Sequence, residues 1–393
     1  MPDSRSRRGV EIGTVRPGVG RWRPGAELAL VAILMGGLLC TAALVPGSSA
    51  SAAGGTCSAG QTLTAAPDTT LDRLFQSYGN AGQGATWTGG DGTQSVAVPG
   101  GEELWLFGDS VLGVVTDGLR NFRKSPYIHN SIVVQIGGKL TRTYYTHRTT
   151  RPTAYLNPRP ARPYVYAFWP GAPVVDESTL QVVGSLQKFN KAGTPTQIGE
   201  EFATFRLPDL KRLSLRPMAP SPVNWPDGEP LTTGGFTYLY GSSTKGIEVA
   251  RVPGTNLSSP WSYYDGSGWT NNAAEVVPID RAVPVSSFSV SEIGTAYVLI
   301  AKTSLSSNEI MGALGCSPVG PFGPLQSVYA TPEETQYPAS DGVVTYGAHA
   351  HPELSAPADS VVVSYDVNPR GPQELKVPDA SIYRPRFLYV TVG

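Results

Sequence analysis

The chain has 393 residues, of which 40% are hydrophobic and only 16% are charged. Its 45 glycines and 35 prolines interrupt the sequence too often for long helices, whereas an aromatic content of 9% argues against disorder. The net charge of -1 argues against a nucleic-acid scaffold, and three cysteines exclude a disulfide-rich miniprotein and a zinc-ribbon array. The composition therefore predicts a sizeable, turn-rich, soluble β protein.

The first 53 residues have the order of a signal peptide. Arginines precede an uncharged run from Leu28 to Val45, and small residues with an A-x-A site at Ala50 to Ala52 follow it. A retained membrane anchor is the alternative, because about 18 apolar residues just span a bilayer. We expect cleavage, a secreted protein and no membrane contact afterwards.

Two cysteines remain after this cleavage, Cys57 and Cys316. A pair of cysteines in an exported protein predicts a disulfide, and two separate buried thiols are the alternative. The bridge would fasten residues 54–85, predicted to be a short N-terminal arm, to the main domain.

The remaining sequence favours strands. Only Thr70 to Tyr78 has helical spacing, and elsewhere short alternating runs are separated by Gly, Pro and Asn turns. The predicted strands and hairpins are SVAVPGGEELWLFGDS, SIVVQIGGKLTRTYY, APVVDESTLQVVGSLQKF, EEFATFRLPDLKRLSL, GGFTYLYGSSTKGIEVARV, WSYYDGSGW, SFSVSEIGTAYVLIAKTS, NEIMGALGCSPVGPFG, SVVVSYDVN and YRPRFLYVTV.

Grouped in pairs, these hairpins make five four-stranded units over residues 86–393. This predicts an all-β fold, a five-bladed β-propeller with the N-terminal arm before it. A two-sheet sandwich is the alternative, but it holds fewer strands, and no linker divides the chain into two sandwiches.

The first hairpin carries the sharpest site signal. With a turn at Gly100 and Gly101, Asp91 lies opposite Ser110, and Asp109 lies opposite Gly92. Both carboxylates then emerge at one end of the hairpin, where a pair can serve glycoside hydrolysis as proton donor and anionic partner. Alternatively, both are turn-capping residues of G-D-G and G-D-S turns.

Seven segments in this order resemble a family of actinobacterial secreted five-bladed propellers long catalogued as a domain of unknown function. The segments are WTGGDGTQSVAVPGGEELWLFGDSVLG, HNSIVVQ, FWPGAPVVDESTLQVV, CSPVGPFG, YGAHAHPELS, VVVSYDVN and YRPRF. Some relatives are endo-D-arabinanases that act on mycobacterial-type cell-wall arabinan. Relatives commonly have G-D-T where this chain has Gly108, Asp109 and Ser110, and serine keeps the hydroxyl.

The resemblance implies that Asp91 and Asp109 are the acidic pair. It also implies that a central pocket contains the side chains of His129, Asn130, Trp169, His349, His351 and Glu353. His129 and Asn130 can instead cap a loop, and Trp169 can instead be a packing anchor.

Two further groups are candidates for substrate binding. Asp176 and Glu177 lie in a predicted hairpin turn, where solvated turn charges are the simpler interpretation. His349, His351 and Glu353 alternate onto one strand face, which suits sugar binding, acid and base work or metal ligation. No structural metal or cofactor is predicted, and a channel-bound calcium ion stays an alternative.

Two functions fit these observations. One is a secreted, monomeric glycoside hydrolase that acts on arabinan-like furanosidic cell-wall polysaccharide through Asp91 and Asp109. The other is a non-catalytic carbohydrate-binding or cell-wall-associated propeller. Neither involves nucleic acid.

Overall fold

The computed structural model describes residues 60–82, 84–121, 123–147, 151–158, 165–191, 193–369 and 378–393. The predicted signal peptide and Cys57 lie outside these ranges, so the cleavage and the disulfide stay predictions. Among the helices in the described ranges, none has the length and apolar character needed to cross a membrane.

The predicted helix is confirmed and is α1 (Thr69–Ala81). It begins at Asp68, whose carboxylate accepts hydrogen bonds from the backbone N–H groups of Thr70 and Leu71. Its Phe75 is fully buried and meets the ring of Trp105 edge-on at 4.9 Å. The helix is therefore part of the core. A second, four-residue helix is α2 (Glu333–Gln336).

The first large sheet is built from two hairpins. The turn at Gly137 and Gly138 has the two residues predicted, both with positive φ, whereas the other turn has three residues, Pro99 to Gly101. Its antiparallel strands are β3 (Gln94–Val98), β4 (Glu102–Phe107), β9 (Ser131–Ile136) and β10 (Lys139–Tyr144), in the order β10-β9-β4-β3.

The second and third sheets are also antiparallel. The second contains, in order, β13 (Tyr166–Asp176), β14 (Thr179–Phe189), β15 (Pro195–Arg206) and β16 (Lys211–Pro217). The third contains β18 (Leu231–Thr233), β19 (Phe236–Ser243), β20 (Gly246–Pro253), β21 (Ser262–Tyr264) and β22 (Trp269–Thr270).

The fourth sheet contains one short parallel strand, β17, which pairs with β23. Its strands are β17 (Gly228–Glu229), β23 (Phe288–Ile293), β24 (Ala296–Ala301), β25 (Glu309–Gly315) and β26 (Gln326–Ala330).

The fifth sheet combines strands from both halves of the sequence. Its order is β1-β29-β28-β27, with β1 (Leu63–Pro67), β27 (Val343–His351), β28 (Ser360–Pro369) and β29 (Arg386–Val392). Leu63 pairs with Val392, and Pro67 pairs with Leu388. Residues of the predicted N-terminal arm thus form the outer strand of this sheet.

Short ladders complete the described structure. One is a three-stranded sheet of β2 (Thr86–Gly90), β5 (Ser110–Gly113) and β8 (Tyr127–Ile128). The others pair β6 (Val115–Thr116) with β7 (Leu119–Arg120), and β11 (Thr146–His147) with β12 (Pro152–Thr153).

Apolar clusters join each large sheet to the next. One cluster packs Leu106 of the first sheet with Phe168 of the second, and equivalent clusters link the second to the third, the third to the fourth and the fourth to the fifth. A further cluster contains Trp105 of the first sheet and Phe387 of the fifth, with Phe75 between them. The prediction of a mostly β protein is confirmed. Each large sheet packs against the next in chain order, and the fifth also packs against the first.

Candidate active site

Asp91 and Asp109 lie just beyond the two ends of the first hairpin, on adjoining segments. The Asp91 N–H donates to the Asp109 carbonyl at 3.2 Å, and the Gly108 N–H donates to the Asp91 carbonyl at 2.7 Å. The predicted register is wrong by one residue, because Gln94 pairs with Leu106. Pro99 belongs to the turn, which makes it three residues long, so the two aspartates face each other directly.

Two tyrosine hydroxyls hold the Asp91 carboxylate. Tyr346 donates to Oδ2 at 2.5 Å, and the Tyr383 hydroxyl lies 3.2 Å from Oδ1. Burial, and then the charge of Asp91, raise the pKa of both phenols well above its usual value, so both keep their protons. Tyr346 also accepts a hydrogen bond from Asn368 at 3.1 Å, and its own proton is therefore directed at Asp91.

The Asp109 carboxylate is surrounded by donors on both oxygens. Oδ2 accepts from the Tyr127 hydroxyl at 2.6 Å, and Oδ1 lies 2.7 Å from His129 Nδ1 and 3.0 Å from Trp169 Nε1. An indole N–H can only donate, so Oδ1 is the acceptor of the bond from Trp169. The structure thus brings Asp109 together with two of the predicted binding residues, His129 and Trp169.

Aromatic rings support the imidazole of His129. The Phe189 ring stacks on it with centroids 4.5 Å apart, and Tyr127 meets it edge-on at 5.8 Å. Trp169 meets the same Phe189 ring edge-on at 6.2 Å. Because all four side chains are partly exposed, this corner beside Asp109 is accessible as well as rigid.

Tyr383 has a positive φ of 67°, which is uncommon for a residue with a side chain. Its carbonyl accepts from Gly90 N–H at 2.9 Å, and its hydroxyl also lies 3.1 Å from the Asp109 carbonyl oxygen. The buried Arg120 clamps this segment by donating to the carbonyls of Ile382 and Thr88, each at 2.6 Å. The strained backbone therefore places one hydroxyl between both acidic segments.

A third carboxylate lies beneath Asp91. Asp366 accepts from the Gly92 N–H at 2.8 Å and from the Thr93 hydroxyl at 2.7 Å. Burial raises the pKa of Asp366 to about 7. Asp366 fixes the chain that follows Asp91 and makes no described contact with Asp109.

His351 and Glu353 form a separate hydrogen-bonded chain with Ser95. The Ser95 hydroxyl donates to Glu353, so His351 Nδ1 donates to Ser95 at 2.5 Å, and His351 Nε2 accepts from Ser364 at 2.8 Å. Burial lowers the pKa of His351 well below its usual value and raises the pKa of Glu353 to about 7. This group interacts with no residue of the Asp91 and Asp109 pair among the described contacts.

His349 is fully buried and lies beside His351, with ring centroids 4.8 Å apart. Its Nδ1 donates to the Gly347 carbonyl at 3.0 Å, and burial lowers its pKa to about 4. It is therefore a neutral imidazole at neutral pH.

The other predicted binding residues lie elsewhere. The buried Asn130 amide forms its hydrogen bonds with the backbone of Leu156 and Phe168, so its role is to hold these segments together. Asp176 accepts from Thr255 at 2.7 Å, and Glu177 is an exposed residue of the β13–β14 turn. Asp176 is seven residues beyond Trp169 on β13, which corresponds to roughly 20 Å along the strand.

Within the described ranges, no group of three or more His, Cys, Asp or Glu side chains is arranged to hold a metal ion. His349, His351 and Glu353 are therefore not such a set, and the predicted alternation along one strand stops at His351, because β27 ends there and Glu353 lies in the following turn.

The sequence did not predict three residues that contact the acidic pair, Tyr127, Tyr346 and Tyr383, or Phe189, which packs against His129 and Trp169. Tyr383 lies in the YRPRF segment, one of the seven that carry the family resemblance. The signals that could have found the others are weak, because tyrosines and phenylalanines in strands ordinarily pack in a core.

The described fold defines a mostly β protein made of consecutive, largely antiparallel sheets. A similar structure is that of a putative hydrolase from Bacteroides ovatus ATCC 8483, with 21% identity, coverage of 84% of this chain and 90% of that chain, and a TM-score of 0.67. At this identity the match shows a shared fold.

The chain belongs to the family described as a domain of unknown function (DUF5005), which matches residues 72–392. No curated protein matches the chain.

Two more distant likenesses have TM-scores too low to support an argument. An exo-beta-1,3-galactanase from Phanerochaete chrysosporium has 12% identity, coverage of 84% of this chain and 63% of that chain, and a TM-score of 0.46. The catalytic domain of a GH62 alpha-L-arabinofuranosidase from Coprinopsis cinerea has 10% identity, coverage of 78% and 91%, and a TM-score of 0.41.

Proposed function

We propose that this protein is a secreted glycoside hydrolase that acts on arabinan-like, furanosidic cell-wall polysaccharide. The observation that carries the proposal is the pair Asp91 and Asp109, which face each other on adjoining segments with different hydrogen-bond partners. Two carboxylates in different environments can divide the roles of proton donor and anion.

The proposed scaffold is a five-bladed propeller with the five large sheets as its blades. The apolar clusters support this arrangement, because they join consecutive sheets and also join the last sheet to the first. The fold shared with a putative hydrolase agrees with a hydrolytic role.

The geometry favours Asp91 as the proton donor. Tyr346 is committed to donating to Oδ2, whereas the Tyr383 hydroxyl lies between Asp91 Oδ1 and the Asp109 carbonyl. When Tyr383 donates to that carbonyl, its oxygen can accept a proton held on Asp91 Oδ1. The Tyr383 hydroxyl can therefore form a hydrogen bond with Asp91 while Asp91 is protonated and also after Asp91 has given its proton to the leaving oxygen.

Asp109 is the anionic partner in this proposal. Its donors Tyr127, His129 and Trp169 stabilise the ionised carboxylate, which an oxocarbenium-like transition state needs nearby. The aromatic corner beside it can hold a sugar ring by its apolar face.

The proposal also includes secretion after loss of residues 1–53, a Cys57–Cys316 disulfide and a monomeric state.

The second candidate function is carbohydrate binding without hydrolysis. The same aromatic corner favours it, because such a corner can hold a sugar whether or not the carboxylates react.

The test is hydrolysis of purified arabinan, with Asp91→Asn and Asp109→Asn as the variants. Each should lower kcat/KM by at least ~100-fold with a nearly unchanged melting temperature, because the amide keeps the size but not the proton chemistry. Asp176→Asn is the matched control, since Asp176 lies at the distant end of β13, and it should retain wild-type activity.

Wild-type turnover in both variants would refute the catalytic assignment. If the wild-type protein binds arabinan, galactan or xylan but releases no sugar from any of them, the binding function is the right one.

A further inference from the structure

We infer that His129 is a specificity-determining residue, which binds the sugar hydroxyl next to the anomeric carbon through its Nε2 atom. The inference rests on the proposed function and deepens it, because it names a free hydroxyl at that position as a substrate requirement.

The tautomer of His129 follows from its partner. Asp109 Oδ1 lies 2.7 Å from Nδ1, and an ionised carboxylate can only accept a hydrogen bond. Nδ1 therefore carries a proton, and Nε2 is the ring nitrogen left for a ligand.

Nε2 is available to a ligand. Among the residues that the structure describes, no hydrogen bond to Nε2 is found. Nε2 is also not one of the buried side-chain atoms without a hydrogen-bond partner. The side chain of His129 is 13% exposed, compared with 9% for Asp109. Both side chains therefore keep a small exposed fraction, which is slightly larger for the imidazole.

The direction of Nε2 is fixed from three sides. Asp109 holds Nδ1, Phe189 covers one ring face at 4.5 Å, and Tyr127 meets the ring edge-on at 5.8 Å. A group with few rotational alternatives loses little entropy when it binds a ligand, so this ring nitrogen is preorganised.

The position of Nε2 selects the hydroxyl. If Asp109 lies against the anomeric carbon, an imidazole attached to that same carboxylate reaches the substituent on the adjacent carbon. Hydrogen bonds to this hydroxyl strengthen in the transition state of glycoside hydrolysis and contribute several kcal/mol there. Nε2 would form a hydrogen bond with this hydroxyl, and a substrate that is deoxygenated at this position would lose the contact.

The experiment crosses His129→Asn with a substrate that lacks this hydroxyl. Asparagine can keep a donor near Asp109 but has no atom at the Nε2 position. On the hydroxylated arabinofuranoside, we expect kcat/KM to fall by at least ~30-fold in the variant. On the 2-deoxy analogue, wild type and variant should differ by less than ~3-fold, because the interaction is already absent.

Tyr127→Phe and Trp169→Phe are the matched controls, since each removes a donor to Asp109 without touching Nε2. Their losses should be equal on the two substrates. An equal loss on both substrates for His129→Asn, or no loss on either, would overturn the inference.

The dissociation constants of the unreactive methyl arabinofuranoside and its 2-deoxy analogue, measured by calorimetry, separate this inference from the proposed function. Coupling between His129 and the hydroxyl in binding, without hydrolysis of any arabinan, would support the inference and refute the enzyme. Hydrolysis of arabinan without coupling in either measurement would support the proposed enzyme and overturn the inference. If His129→Asn fails to fold, the ratio of the two wild-type dissociation constants decides, and a ratio near one would overturn the inference.

Discussion

Replacement of Arg120 by methionine tests whether the clamp beneath the acidic pair stabilises the fold. Arg120 is only 4% exposed and donates to the carbonyls of Thr88 at 2.6 Å, Ile382 at 2.6 Å and Ala380 at 3.0 Å. Methionine fills much of the same volume but leaves the Ile382 and Ala380 carbonyls without this donor, while the Thr88 carbonyl keeps its hydrogen bond from Arg384 Nε at 2.8 Å.

The magnitude follows from two opposing contributions. Hydrogen bonds from a charged donor contribute about 1.5–3 kcal/mol each, so three of them favour a large loss. Removal of a buried charge offsets part of that loss, as the burial-lowered pKa of Arg120, about 9, indicates. We expect the free energy of unfolding to fall by about 3 kcal/mol.

The assay is urea unfolding monitored by tryptophan fluorescence, with kcat/KM on arabinan measured in parallel. Arg206→Met is the control, because Arg206 is exposed and pairs only with the exposed Asp209, and it should leave the midpoint unchanged. A loss below about 1 kcal/mol for Arg120→Met would refute the reasoning that these carbonyls depend on it.

Two further predictions concern the remaining buried groups. Tyr383→Phe should lower kcat/KM by about 10-fold with little change in melting temperature, because the hydroxyl between Asp91 and Asp109 is lost; unchanged kinetics would contradict this. Burial raises the folded-state pKa of Glu353 to about 7, so its stabilisation is complete below the unfolded pKa near 4.5 and is lost as pH rises through 7. The free energy of unfolding should therefore fall between pH 5 and 8, and Glu353→Gln should make this fall smaller by up to about 3 kcal/mol, as measured by urea titration. An identical pH slope in both proteins would contradict this prediction.

The sequence predicted the elements better than the site. Alternating patterns located the hairpins, and two glycines located the turn at Gly137 and Gly138, because backbone preferences are local. The register of the first hairpin was wrong because Pro99 could be assigned either to a strand or to the turn. That single residue decides whether Asp91 faces Ser110 or Asp109.

The surroundings of the acidic pair depend on contacts between distant parts of the chain. Tyr346 and Tyr383 reach Asp91 from the last sheet region, more than 250 residues away in sequence. Asp176 and Glu177 have the right chemistry for a site but lie at the far end of β13. Residue type alone could not separate these cases, because the distinction is one of position along a strand.

The pairing of β1 with β29 has a consequence for synthesis of the chain. Leu63 to Pro67 leave the ribosome long before their partner, Leu388 to Val392, is made. Until then the edge of β1 that pairs with β29 is open to other strands, and such edges promote association between chains. This sheet can form completely only after β29 has been made, and a contact this distant in sequence forms slowly.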